Sequence, residues 1–320
     1  MDIFNITKLG FGTSRIGGPS LINNEMTGAK PIPKEDALNI LKYAYDNGIN
    51  FYDTSDKYGN AERLLGEAFY KIRDKVVIAT KCGLTDTGGR NFSIPYIDKC
   101  IESSLYRLKT DYIDIFQLAK PEVDHVTEEL QAFIKEKIKE GKIRYFGISV
   151  SNCKNSKTYL DNENIKSLQI FYNLLFIENE EFIEESRKNN KFVIIRSPLN
   201  SGILSGKYTT NTRFDKIDSR SKYFFGETFC ERLRSVGEIK NRFSLPSDGV
   251  LDFALKYILS NKNVNVVIPA ASNINQLKEY IRIYTRKYFN DKERDDILCF
   301  LRDVISGEGR KPAFKKTYTF

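Results

Sequence analysis

Tryptophan is absent from this sequence, and histidine occurs once, at His125. One histidine and five scattered cysteines (Cys82, Cys100, Cys153, Cys230, Cys299), none in a CxxC pair, leave no ligand set of His/Cys type, so no metal site is expected. The odd number and wide spread of the thiols indicate reduced cysteines and a cytoplasmic protein. No apolar run approaches the ~20 residues that cross a bilayer, and the polar stretch after Met1 is not a secretory signal, so no membrane partner is expected. The net charge of +8 and pI of about 9.0 invite a nucleic-acid reading. Lysines and acids are interleaved along most of the chain, however, and the one local excess, Arg310, Lys311, Lys315 and Lys316, reads as a solvated end. Nucleic acid is therefore excluded as a partner. The dinucleotide fingerprint GxGxxG is also missing, because Arg15 stands where the third glycine after Gly10 and Gly12 belongs. A P-loop fails too: Gly202 to Lys207 is one residue short, and Tyr208 replaces the required Ser/Thr.

What is present is a regular alternation. Leu9 to Gly12 is a strand breaking into a glycine-rich loop, and residues 19–33 read as a polar loop. Ala37, Leu38, Leu41 and Tyr45 recur at helical spacing, with Gly48 as the stop. Strands follow at 49–54, 76–81, 112–118, 143–149, 168–172, 192–196 and 264–268. Helices are expected between them at 61–72, 95–108, 126–140, 154–161 (weaker) and 179–189, then from Val250 and at 274–288. Residues 197–246 break the rhythm apart from a possible helix near 228–241, and an amphipathic helix at 293–305 precedes the tail. Eight strand-helix alternations argue for a closed (β/α)₈ TIM barrel with a long loop after strand seven and a C-terminal helical extension. The expected organisation is a single domain over 1–320, with 291–320 as the extension.

In such barrels the active site lies at the C-terminal ends of the strands. Asp53 ends the second strand, Lys81 ends the third, and Tyr58 follows Asp53 by five residues. Neighbouring strands lie ~4.8 Å apart, so the carboxylate and the ammonium can pair. A lysine held charged beside the Tyr58 hydroxyl would favour phenolate and tune a general acid. On spacing alone, a strand-end ion pair with an unrelated loop tyrosine fits equally well.

Phe51-Tyr52-Asp53-Thr54, Lys57-Tyr58-Gly59 and Ala79-Thr80-Lys81 resemble the catalytic Asp, Tyr and Lys segments of the aldo-keto reductases, and the likeness extends over nearly the whole chain. The resemblance implies an oxidoreductase in which NADPH binds first, hydride passes from nicotinamide to a carbonyl carbon, and the tyrosine protonates the oxygen. It also implies cofactor contacts at Gly12 and Thr13, at Asp53, at Ser149 and Gln169 for the carboxamide, and at Arg196. Ser197, Leu199, Gly202 and Lys207 fall in a segment similar to the family's cofactor-clasping loop, and Ala270, Ser272 and Gln276 in one similar to its adenosine-phosphate segment. That last segment opens a helix, whose unbonded amides suit a phosphate.

The family's fourth catalytic residue, a histidine after strand four, is replaced by Ala119 in Gln117-Leu118-Ala119-Lys120-Pro121. His125 reads as a surface histidine, so Ala119 and Lys120 are left as substrate-pocket residues. Val150 and Arg196 depart from common family residues, as do Ser272 and Tyr280, and the last two keep NAD open beside NADP. Arg213, Arg220 and Lys222, like Lys120, lie in candidate substrate loops, where they read either as solvated loop charges or as contacts for a phosphate. The expected substrate is a small carbonyl compound, an aldehyde, a ketone or a keto-sugar; Val150 and the Tyr172-Asn173-Leu174-Leu175 context resemble family members that act on sugars or nucleotide-linked sugars, which implies carbohydrate metabolism. Two alternatives stand beside it: a cofactor-binding regulator of the same fold, or a lyase or isomerase using Tyr58 and Lys81. The oligomeric state is left open.

Overall fold

A computed structural model of the chain describes residues 5–150, 152–246 and 248–306. The tail readings at 310–320 lie outside those residues. Strands and helices are numbered here in chain order. The barrel strands are β1 (Phe11–Gly12), β4 (Phe51–Asp53), β5 (Val77–Cys82), β6 (Ile113–Ala119), β7 (Ile143–Ser149), β8 (Ile165–Phe171), β9 (Phe192–Arg196) and β10 (Val266–Val267). They pair in that order, every pair parallel. Parallel bridges Leu9–Val267 and Gly12–Ala270 join the last strand to the first, with Gly10 N donating to Val267 O at 2.8 Å. The sheet therefore closes into the expected (β/α)₈ barrel.

Alternate residues of each strand face the barrel axis. Phe51, Val77, Ala79, Ile115, Phe192, Ile194, Val266 and Ile268 form a buried inner cluster. The opposite faces join the helices in a larger outer core. The helices are α1 (Lys34–Asp46), α2 (Ala61–Phe69), α3 (Ile94–Leu108), α4 (Glu128–Lys139), α5 (Thr158–Asp161), α6 (Glu180–Lys188), α7 (Gly226–Arg242), α8 (Gly249–Leu259), α9 (Ile274–Tyr284) and α10 (Asp291–Ser306). Local chemistry sets their ends. Thr127 caps α4 by accepting from Leu130 N at 3.1 Å, and Asn273 caps α9 by accepting from Gln276 N at 3.0 Å.

Three readings need correction. Residues 19–33 are not simply a loop: β2 (Pro19–Ile22) and β3 (Glu25–Gly28) pair as an antiparallel hairpin. Its turn is Asn23-Asn24, both left-handed at φ 53° and 59°, the conformation that two-residue hairpin turns require and asparagine tolerates. The weaker helix at 154–161 shrinks to the single turn of α5. The irregular segment 197–246 holds a 17-residue helix, α7, longer than expected. It also has short 3₁₀ turns at Asn200–Ser205 and Ser219–Lys222.

One buried polar knot braces β5, β6 and β7 on the helix-facing side. Asp114, fully buried, accepts from Ile78 N at 2.9 Å, Arg73 Nη2 at 2.5 Å and Arg144 Nη1 at 3.0 Å. Both guanidinium groups lie against the Tyr112 ring, 4.3 Å and 3.7 Å from its centre. Asp114→Ala leaves Arg73 buried without its counter-charge. It should lower the free energy of unfolding by about 3–5 kcal/mol, measured by urea denaturation.

Candidate active site

Strand register brings the candidate residues into one ring. Gly12 pairs with Asp53, Lys81 with Gln117, Ala119 with Ser149, Ser149 with Gln169, and Phe171 with Arg196. All are at or near the C-terminal ends of their strands.

At the centre is a buried ion pair. Lys81 Nζ donates to both Asp53 oxygens, at 2.9 and 2.7 Å, and to Thr54 O at 2.8 Å. Asp53 Oδ1 also accepts from Gln169 Nε2 at 2.6 Å, and Gln169 Oε1 accepts from Ser149 Oγ at 3.2 Å. Thr13 Oγ1 donates to Asp53 O at 2.9 Å. Five sequence-selected residues therefore form one connected network. Burial acts to lower the Lys81 pKa, but the Asp53 carboxylate, then nearby Tyr58 and the hydrogen bonds to Asp53, outweigh it, so Lys81 sits above the ordinary lysine value. The ammonium lies 4.8 Å from the centre of the Tyr58 ring.

Tyr58 is half-buried and held from both sides. The Ser20 hydroxyl, on the hairpin, donates to Lys57 O at 2.8 Å and accepts from Gly59 N at 2.9 Å. Lys57 pairs with Asp86 at 2.6 Å, and Asp86 O accepts from Asn23 N at 2.7 Å. Gly17 and Gly59 let the two backbones touch. A Cβ at Gly17 would lie 1.8 Å from Tyr58 O, and Gly59, at φ 55°, passes so close that a Cβ there would lie 2.3 Å from Gly17 O. The hairpin that the sequence reading took for loop is thus part of the Tyr58 mount.

The other selected residues fall on the rim. Ser197 (φ 54°) and Gly202 (φ 101°) turn the loop after β9, and Leu199 O accepts from Gly202 N at 2.8 Å. Lys207 is exposed on the same loop. A latch ties this loop to the start of the chain. Asp218, buried, accepts from Arg15 Nη2 at 2.9 Å and from Arg220 Nη2 at 2.6 Å, while Gly28 N donates to Ile217 O at 3.1 Å. Burial pushes the Asp218 carboxyl up, but hydrogen bonds from Arg220 and Arg15 pull it well below the usual range. Ala270 is bridged to Gly12, and Ser272 N donates to Gln276 Oε1 at 2.9 Å at the start of α9.

Several candidates are occupied elsewhere. Arg220 serves the latch, Lys222 pairs with Glu25 at 3.0 Å, and Arg213 donates to Thr210 O and Thr212 O of its own loop. Asn173 shapes a turn by donating to Ser197 O at 3.1 Å and accepting from Leu175 N at 3.0 Å. His125 is exposed, and its Nδ1 accepts from Glu122 N at 3.0 Å in a surface turn before α4. Beside Ala119 stands a residue the sequence reading passed over: Arg90 Nη1 donates to Ala119 O at 2.5 Å. Its only advance signal was the Gly88-Gly89 turn, which returns the loop after β5 to the barrel mouth.

A closed parallel barrel with a buried Asp–Lys pair against a tyrosine at its strand ends has the architecture of a barrel oxidoreductase. The sequence matches the Aldo/keto reductase family over residues 8–298, and the chain belongs to that family. Its members are oxidoreductases of carbonyl compounds that use NADP(H). The chain is 30% identical over 321 residues to aldo-keto reductase YhdN of Bacillus subtilis, covering 96% of this chain and 95% of that protein. It is 32% identical over 269 residues to the uncharacterized oxidoreductase YqkF of the same organism, covering 81% and 86%. Among solved structures, the holo form of aldo-keto reductase AKR11C1 from Bacillus halodurans superposes with a TM-score of 0.75 at 27% identity, over 92% of each chain.

The glycine contact gives a direct test of how Tyr58 is mounted. Gly17→Ala should lower stability by about 1–3 kcal/mol through overpacking against backbone. Gly237→Ala, on α7 with open space at its Cβ, should be neutral or stabilising by up to about 1 kcal/mol. Urea melts of the two variants make the comparison.

Proposed function

We propose that this chain reduces a small carbonyl compound with NADPH, using Tyr58 as the proton donor, Lys81 as the charge that tunes it, and Asp53 as the group that fixes Lys81. The observation that carries this reading is the ammonium of Lys81, locked by three oxygens from Asp53 and Thr54 at 4.8 Å from the centre of the Tyr58 ring. A positive charge beside a phenol stabilises the phenolate left when the proton departs. Because Asp53 and Thr54 hold the ammonium before the reaction begins, little reorganisation is needed as charge develops.

The donor set fits a nicotinamide dinucleotide. Ser149 and Gln169, joined to each other and through Gln169 to Asp53, supply a hydroxyl and an amide of the kind that complements a carboxamide. Ser272, Gln276 and the first amides of α9 suit a phosphate, and Arg196 offers a planar face in place of an aromatic ring. Gly12, Thr13, Asp53 and Ala270 would border the nicotinamide half, and Ser197, Leu199, Gly202 and Lys207 would cover the bridge between the halves. NADPH, when bound, supplies the hydride. Tyr58 gives its proton to the carbonyl oxygen, the Arg15–Asp218–Arg220 latch keeps the covering loop down, and the apolar side chain of Ala119 leaves room next to Tyr58 for a substituent of the substrate.

Two outcomes follow. Tyr58→Phe should lower kcat/KM for NADPH oxidation by about 10²–10⁴ across a panel of aldehydes, ketones and keto-sugars, with NADPH affinity little changed. Undiminished turnover would remove Tyr58 as the donor. Asp218→Ala should speed NADPH release about tenfold or more, as expected for losing charge-assisted hydrogen bonds. Stopped-flow fluorescence would read that rate, and an unchanged rate would show the loop needs no latch.

A further inference from the structure

Tyr58 stands between two ties to β5. Before it in the chain, the backbone carbonyl of Lys81 accepts from Ser55 Oγ at 3.1 Å and from Asp56 N at 3.2 Å. After it, the chain passes directly into α2, with Ala61 N donating to Tyr58 O at 3.0 Å. Glu62, in the first turn of α2, is buried. Its Oε1 accepts from Thr80 Oγ1 on β5 at 2.6 Å, and its Oε2 accepts from Arg107 Nε, near the end of α3, at 2.6 Å.

The place of Thr80 on its strand gives this second tie its reach. Along β5, Val77 and Ala79 belong to the inner cluster, while Ile78 and Cys82 belong to the outer core. Thr80 shares the outer face by strand alternation, and Lys81, the next residue, turns inward to Asp53. Glu62 therefore grips, from outside the barrel, the residue that immediately precedes the lysine, and it does so four residues after the tyrosine. A buried carboxylate is costly unless paired and hydrogen-bonded, and two apolar side chains would hold α2 to β5 without that cost. What the directional bonds add is a fixed register between helix and strand. The usual device for fixing a helix start is absent here, because Asn60, at the N-cap of α2, makes no side-chain cap bond. The helix is also set closely on α3: a Cβ at Gly66 would lie 2.6 Å from Arg107 O. Arg107 thus reaches Glu62 from a neighbour that α2 already touches through backbone.

We propose that Glu62 is a positioning residue: through Thr80 it fixes the start of α2, and with it Tyr58, in register with Lys81. It acts through the strand and the helix backbone and not on the reacting atoms. Its effect on turnover rests on the reductase reading above; the placement of Tyr58 does not.

Thr80→Val removes the hydroxyl while keeping the shape of the strand residue and leaving Glu62 paired with Arg107. With saturating NADPH, Thr80→Val and Glu62→Ala should each lower kcat on the carbonyl panel by about tenfold or more, with NADPH affinity within a few-fold of wild type. Glu62→Gln, whose amide can still accept from Arg107 and donate to Thr80, should stay within about threefold of wild type. In a Tyr58→Phe background the loss from Thr80→Val should shrink to less than about twofold, because the hydroxyl through which it acts is gone. Fluorine NMR of protein carrying fluorotyrosine in place of Tyr58 gives a readout that needs no turnover. Thr80→Val should shift or broaden the fluorine resonance, and Glu62→Gln should leave it in place. That result supports the placement even if Tyr58→Phe turns over undiminished, in which case only the reductase reading falls. Three results would overturn the proposal: an unchanged fluorine resonance in Thr80→Val, an unchanged kcat in Thr80→Val while Tyr58→Phe is impaired, or a full-sized Thr80→Val loss in the Tyr58→Phe background.

Discussion

The pairing of Lys81 with Asp53 is the interaction on which the rest of this molecule depends. Two ionised groups with side chains less than a tenth exposed would be costly apart. Here the barrel supplies what makes them tolerable together: β4 and β5 are adjacent and parallel with Asp53 opposite Ala79, and the long side chain of Lys81, two residues further on, brings its ammonium within 3 Å of the carboxylate. Thr54 O takes the remaining contact on the lysine, and Gln169 takes one on the aspartate. The pair is thus a product of the fold, and its ammonium lies 4.8 Å from the centre of the Tyr58 ring.

Around that pair the protein has built mounts of different stiffness. Asp53, Lys81, Ser149 and Gln169 stand on strands and are linked by hydrogen bonds across four of them. Tyr58 stands on a loop, and the β2–β3 hairpin, Ser20 and the Gly17–Gly59 contact give that loop the rigidity a strand would have provided. The segment after β9 is tied to the start of the chain at three points, Asp218 to Arg15, Ile217 O to Gly28 N and Lys222 to Glu25.

The barrel was legible in the sequence because its strands are buried on both faces and read as short apolar runs, with helical periodicity and glycine stops between them. Asp53 and Lys81 were legible for a related reason, because each falls at or near a strand's C-terminal end, whereas Ser149 and Gln169 were picked out by the family resemblance of their segments. What escaped was carried by loops. Asn23-Asn24 is a turn signal, but the flanking β2 and β3 are only half-buried and lack a clear apolar alternation. Arg220 and Lys222 looked like free loop cations, because their partners, Asp218 aside, lie far away in the chain, as Glu25 does for Lys222. Arg90 was invisible for the same reason: its contact with Ala119 spans 29 residues and uses a backbone carbonyl that no side-chain pattern reveals.

The central claim is that the Lys81 ammonium, held by Asp53, enables proton donation from Tyr58 in an NADPH-dependent reduction. Its most direct test is single-turnover oxidation of bound NADPH by a carbonyl substrate in wild type and Lys81→Met, with NADPH affinity measured in parallel. The account predicts a rate about 10²–10⁴ lower in Lys81→Met while NADPH still binds within a few-fold of wild type. A wild-type rate in Lys81→Met would contradict it.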